Sequence, residues 1–247
     1  MGLEGRVALV TGGAKRVGRA IVERLAAGGF DVAFTYLRSG EEAKALVGAL
    51  KRKKHTALAI QADLLDPERA SQKIHDGVID RFGRLDVLVN SASLYEAGGL
   101  GKASAAQAQR LWSIHVAAPM LLCQRFERTL RERRGHVVNM VDLLAERPWP
   151  EYLAYCASKA GLWNLTLGLA RALAPEVTVN GIAPGVVEWP AGYPKEERER
   201  YLRRVPLGRA GTPEDVAELV HFLVTAGEGG SYITGQIIRL DGGRSIT

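Results

Sequence analysis

Short apolar runs rich in β-branched residues alternate along this chain with longer amphipathic segments, and this alternation limits the possible folds more than any other feature. The strand patterns fall at residues 6–11, 31–36, 57–62, 87–90, 136–141, 178–182 and 237–240. Several are apolar almost throughout, as strands covered on both sheet faces must be. Helical periodicity occupies residues 17–28, 41–52, 67–82, 105–131, 152–174 and 213–225. The last begins with Thr212 as N-cap, Pro213 at the first helical position and acidic residues in the first turn. With no linker or repeat to divide it, the pattern predicts one α/β domain over residues 1–247. That domain is a doubly wound parallel sheet of about seven strands with helices on both faces. Residues 188–204 are polar and aromatic with two prolines, and they interrupt the alternation. They read as an inserted helix-loop that covers a site.

Composition narrows the functional classes. Hydrophobic residues at 47% and charged residues at 24% exclude wholesale disorder. No apolar run approaches the roughly 18 residues that span a bilayer, and the opening residues lack the pattern of a signal peptide, so a cytoplasmic protein without a membrane partner is expected. Cys123 and Cys156 alone build neither a disulfide framework nor a zinc site, and the five histidines are isolated, so no metal is expected. The net charge of +6 comes from scattered residues, with clusters at 51–54 and 131–134 that read as solvated helix ends. Such a field favours a small anionic cofactor or substrate as much as nucleic acid, and nucleic acid is not expected as a partner.

The first strand runs into Thr11-Gly12-Gly13-Ala14-Lys15-Arg16-Val17-Gly18 and then a helix. Glycines there permit a tight turn and let backbone N–H groups reach a pyrophosphate at the helix N-terminus. Arg16 stands where many such loops carry a middle glycine, and its cation is expected along the cofactor phosphates or in the site. At the end of the second strand, an acidic residue would take the ribose hydroxyls of NAD. This chain has Tyr36-Leu37-Arg38-Ser39. A guanidinium and a hydroxyl suit a 2′-phosphate, which favours NADP(H). Asp63, ending the third strand, is placed either to meet the adenine edge or to cap a turn.

Tyr155 and Lys159 stand at i and i+4, on one helix face. A free tyrosine titrates near 10. An adjacent ammonium is expected to draw that value toward neutral pH and make the phenol a usable acid. Tyr152 lies seven residues from Lys159 and is out of reach.

Taken in order, the glycine-rich turn, Asp63, Asn90-Ser91-Ala92-Ser93, the Tyr155/Lys159 pair, Pro184-Gly185 and Thr234-Gly235-Gln236 resemble the short-chain dehydrogenase/reductase family, over essentially the whole chain. The resemblance implies a Rossmann-like single domain, hydride transfer to or from nicotinamide, and a homotetramer or dimer. It implies that Gly12, Arg16, Val17 and Gly18 contact NADP(H), with Tyr36, Arg38, Ser39 and Asp63 toward the adenosine. It places Asn90, Ser91, Ala92, Ser93, Pro184, Gly185 and Val187 near the rest of the cofactor, and Lys159 on the nicotinamide ribose.

Three departures from the common pattern narrow the substrate. Thirteen residues before Tyr155, where the family usually places a serine that hydrogen-bonds a substrate carbonyl, this chain has Asp142. A carboxylate repels the developing charge on a carbonyl oxygen, but it accepts hydrogen bonds from an amino-bearing heterocycle. Ser93 adds a hydroxyl beside the expected nicotinamide, followed by Tyr95, a ring suited to stacking. The third departure is Arg16. Together these resemble the pteridine reductase branch, including bacterial dihydromonapterin and dihydrofolate reductases of the short-chain type. That likeness implies a pterin held by Arg16, Ser93, Tyr95, Asp142 and Tyr155, with Asp142, Tyr155 and Lys159 as the catalytic set. His115 stands where the family often has an asparagine that supports a water relay; it reads as a relay member or as a satisfied core histidine. Trp149, Trp189 and Tyr193 read as candidates for the pocket mouth or as core cover.

Overall fold

A computed structural model describes residues 5–189, 192–226 and 232–247. Seven strands, β1 (Val7–Val10), β2 (Asp31–Tyr36), β3 (Ala57–Gln61), β4 (Val87–Asn90), β5 (His136–Met140), β6 (Thr178–Pro184) and β7 (Ile237–Leu240), form one sheet in the order β3-β2-β1-β4-β5-β6-β7. Every pairing is parallel. Alternate residues of each strand face opposite layers. Ala8, Val10, Val32 and Phe34 pack on one side with α1 (Arg16–Ala27), α2 (Gly40–Arg52) and α8 (Pro213–Thr225). Val7, Leu9, Ala33 and Leu88 pack on the other with α3 (Pro67–Phe82), α5 (Ala118–Arg133) and α6 (Leu153–Leu173). The expected doubly wound architecture is the one observed. At Thr212 the capping box is complete: its Oγ1 accepts from Asp215 N at 3.1 Å, and Asp215 Oδ2 accepts from Thr212 N at 2.9 Å.

The periodic stretch at 105–131 is not one helix. It divides into α4 (Ala105–Trp112), a π turn at Ser113–Ala117, and α5. Pro119 has no N–H to donate to the carbonyl of His115, so the α pattern cannot run through this point and the backbone widens there. Of the covering segment expected at 188–204, α7 (Lys195–Leu202) is helical, while Pro190 and Ala191 lie outside the described residues. No helix among the described residues is long and apolar enough to cross a membrane.

In the sheet order, the chain turns back between β1 and β4, which pair with each other. The helices that follow these two strands depart to opposite faces and leave a crevice at the strands' carboxyl ends. That is where the site lies.

Candidate active site

A cavity of about 580 Å³ opens above the carboxyl ends of the strands, and the turn after β1 forms one wall. Thr11 Oγ1 accepts hydrogen bonds from Ser91 N (2.9 Å) and Ala92 N (3.0 Å), which ties that turn to the loop after β4. The fit leaves no room for side chains. A Cβ on Gly18 would collide with Gly12 O, and one on Gly12, at φ +67°, would lie 2.9 Å from Ala92 Cα. Lys15, the N-cap of α1, supplies no side-chain acceptor to the helix N–H groups. An uncapped helix start behind a glycine cradle suits a diphosphate, and Gly12, Lys15, Arg16, Val17 and Gly18 all line the cavity.

The other expected cofactor contacts divide. Tyr36, Asp63, Ser91, Ala92, Ser93, Pro184, Gly185 and Val187 line the cavity. Asp63 also takes its turn-capping role, accepting from Leu65 N at 3.0 Å. Arg38 is exposed, Ser39 opens α2, and neither is among the lining residues. Asn90 is buried in the sheet, where its Nδ2 donates to Asn139 Oδ1 at 2.8 Å, and it does not reach the cavity wall. Arg16 lines the cavity but is already engaged: its Nε donates to Glu188 Oε2 at 2.6 Å, which joins the first turn to the segment after β6. Its backbone sits at φ +53°, a conformation glycine takes freely, and this side chain is kept at a backbone cost of about 1 kcal/mol.

The groups expected to react converge from the end of β5 and from α6. Tyr155 Oη donates to Asp142 Oδ2 at 2.6 Å, while Asp142 Oδ1 accepts from Leu144 N at 2.8 Å and caps the short turn that follows. One carboxylate oxygen thus serves the main chain and the other faces the phenol. Lys159 Nζ donates to Met140 O at 2.7 Å and stands 5.8 Å from the Tyr155 ring centroid. This arrangement does not acidify the tyrosine as the i, i+4 spacing suggested. Burial, followed by the Asp142 carboxylate, pushes the Tyr155 phenol well above its usual range, so it stays protonated. Burial also raises Asp142 and lowers Lys159 to about 8, the latter despite the favourable charge of Asp142.

His115 lies at the centre of a second network. Leu94 N donates to His115 Nε2 (3.4 Å), which makes that nitrogen the acceptor and leaves the ring proton on Nδ1. Ser93 Oγ then donates to Nε2 at 2.8 Å, Nδ1 donates to Ser158 Oγ at 2.8 Å, and Ser158 Oγ donates to Tyr155 O at 2.7 Å. Burial and the nearby Lys159 hold the imidazole's pKa down to about 2, so it is a neutral brace between the Ser93 loop and α6. In front of it, Tyr95 stacks on Tyr152 (centroids 4.5 Å apart, 22°) and meets Tyr155 edge-on at 4.9 Å. Tyr152 has no catalytic contact but supports this aromatic wall. Trp149, Trp189 and Tyr193 line the cavity, as do Arg147, Tyr201 and Arg244, which no sequence pattern singled out.

Comparison with known proteins gives the following. A family model described as enoyl-(acyl carrier protein) reductase matches residues 12–245. Pteridine reductase 1 of Leishmania tarentolae is 36% identical over 281 residues, covering 98% of this chain and 96% of that protein. The 3-oxoacyl-[acyl-carrier-protein] reductase FabG of Staphylococcus aureus is 35% identical over 240 residues, with 96% of each chain covered. Among solved structures, FolM alternative dihydrofolate reductase 1 from Brucella canis, complexed with NADP, superposes with a TM-score of 0.91 at 35% identity over 100% of this chain and 96% of that one. Relatives named for pteridine and for ketoacyl substrates are equally near, so overall identity does not choose between those substrates.

Proposed function

Because this chain belongs to the short-chain dehydrogenase/reductase family, we propose that it is an NADPH-dependent reductase of pterin-type substrates such as dihydropterin or dihydrofolate. The observation that carries this reading is the 2.6 Å hydrogen bond between Tyr155 Oη and the Asp142 carboxylate inside the cavity. Two features support NADP(H) over NAD(H): a related structure holds NADP, and the loop after β2 carries Arg38 and Ser39 with no acidic residue to meet a ribose diol. Arg38 has no hydrogen-bonding or charged partner within the described residues, which leaves its guanidinium for a 2′-phosphate.

When bound, NADPH supplies a hydride to a carbon of the substrate's ring C=N bond. The protein's part is to hold the ring and deliver a proton to the nitrogen. Tyr155, kept protonated by burial and by the Asp142 carboxylate that accepts its hydrogen bond, donates its phenolic proton there, while Asp142 holds the hydroxyl in place and a proton from solvent then restores the phenol. Lys159 keeps its ammonium fixed on Met140 O at the cavity wall, and this reading assigns it the nicotinamide ribose. Tyr95, braced by Tyr152, offers a flat face for the pterin, and Ser93 is held in place by His115. Fixing a planar ring in this way accounts for much of the expected acceleration.

Similarity to FabG supports a second reading, reduction of a ketoacyl carbonyl. In that reaction an anionic oxygen develops where Asp142 stands, and the carboxylate opposes it. Turnover of NADPH against dihydropterin, dihydrofolate and a ketoester panel separates the two. The pterin reading expects the first two to be reduced and the ketoester to lag by at least about a hundredfold, the cost of removing one oxyanion-stabilising donor.

A further inference from the structure

The cavity lining carries two arginines that the reaction does not use. Arg147 lies five residues beyond Asp142, and Arg244 follows β7; both line the cavity. Their side chains converge on Thr247: Arg147 Nη1 donates to Thr247 O at 3.0 Å, and Arg244 Nη1 reaches Thr247 Oγ1 at 3.5 Å. Apart from these contacts with Thr247, neither has an aspartate or glutamate partner among the described residues. The nearby carboxylates are engaged elsewhere. Glu146 takes a forked pair of bonds from Arg239 at 2.8 and 2.7 Å, and Asp241 accepts from Gly243 N at 3.0 Å and Ser245 N at 2.7 Å. The Arg244 guanidinium is held over the Tyr201 ring at 5.7 Å, a contact that consumes no N–H, and its buried Nε has no hydrogen-bond partner. Tyr201 is itself fixed, its hydroxyl accepting from Val186 N at 3.1 Å. An oriented guanidinium with an unspent buried donor, beside a second and exposed one, presents the forked donors that a carboxylate accepts.

We propose that Arg147 and Arg244 form a subsite for the carboxylate of an acidic tail carried by the substrate, so that this protein favours folate-type molecules over pterins with short uncharged side chains. The inference rests on the pterin reading for what fills the inner cavity. The tail extends outward past Tyr201, and the exposed Arg147 meets it at the rim.

The test compares kcat/KM with NADPH for dihydrofolate and for a dihydropterin with an uncharged side chain, in the unsubstituted protein and in Arg244→Gln and Arg147→Gln. The ratio favouring dihydrofolate should fall about tenfold in Arg244→Gln, the size of one charge-assisted hydrogen bond, and by a smaller factor in Arg147→Gln. A ratio unchanged in both variants overturns the subsite. In parallel, p-aminobenzoylglutamate, the acidic tail alone, is titrated by calorimetry. Its affinity should drop about tenfold in Arg244→Gln and weaken with added salt. If the tail does not bind the unsubstituted protein, or binds the variants equally well, the subsite is wrong whichever pterins are reduced. If neither pterin is reduced but tail binding depends on Arg244, the pterin reading fails and the anion subsite stands.

Discussion

The two walls of the cavity are built by different means. The wall after β1 is made of backbone: Gly12 and Gly18 press against Ala92 and against each other, and Thr11 ties the turn to the next loop. The opposite wall is made of side-chain pairings between distant parts of the chain. Examples are Tyr155 with Asp142 and His115 with Ser93 and Ser158, while Arg16 with Glu188, 172 residues apart, joins the first wall to the segment after β6. A backbone wall suits a ligand part that never varies, such as a diphosphate. A side-chain wall can be altered one residue at a time, and it carries Asp142 and Ser93, two of the three departures noted in the sequence.

Substitutions on the two walls should therefore fail in different ways. The largest effect is expected at Tyr155. Tyr155→Phe should lower kcat about a thousandfold, the scale of general acid catalysis, with the NADPH dissociation constant within about threefold of the original. Single-turnover kinetics and NADPH fluorescence titration read the two quantities, and undiminished turnover removes Tyr155 as the acid. Gly18→Ala should do the reverse. Its methyl group meets Gly12 O, so stability should fall by about 1–3 kcal/mol, with a melting temperature lower by about 2–4 °C per kcal/mol, and NADPH binding should weaken sharply. A variant that binds NADPH normally contradicts the backbone account of that wall.

The smallest effect concerns His115 and stability against pH. Its pKa is near 6.5 in the unfolded chain and about 2 in the folded protein. The unfolded state therefore binds a proton that the folded state refuses, and the stability that the neutral imidazole retains above pH 6.5 is lost as pH falls toward 2. His115 alone adds a slope of up to about 1.4 kcal/mol per pH unit below 6.5. Denaturant melts at pH 5 and pH 7 should show a smaller difference in His115→Gln than in the original. Equal differences would mean that the ring is not held neutral.

The backbone wall was legible in the sequence because its demands are local: a glycine turn between a strand and a helix has few other conformations. The strands and most helices could be read for the same reason, since burial on two faces or one imprints a period on neighbouring residues. The break at His115 was not legible, because Pro119 is tolerated in the first turn of a helix and the apolar period continues across it. Spacing alone also misjudged the phenol. An ammonium four residues away predicts an acidified tyrosine, but burial and a carboxylate thirteen residues upstream outweigh it. The convergence of Arg147 and Arg244 on Thr247 leaves no local pattern at all, as it depends on where β7 delivers the chain.

The substrate assignment turns on one carboxylate, and Asp142→Ser tests it most directly. Serine restores the hydroxyl that the family usually places there, so activity with dihydropterin should fall at least about tenfold while activity with a ketoester rises, each measured as kcat/KM with NADPH. If Asp142→Ser reduces dihydropterin as well as the original protein does, the carboxylate is only the cap of the turn at Leu144, and the choice of a pterin substrate is wrong.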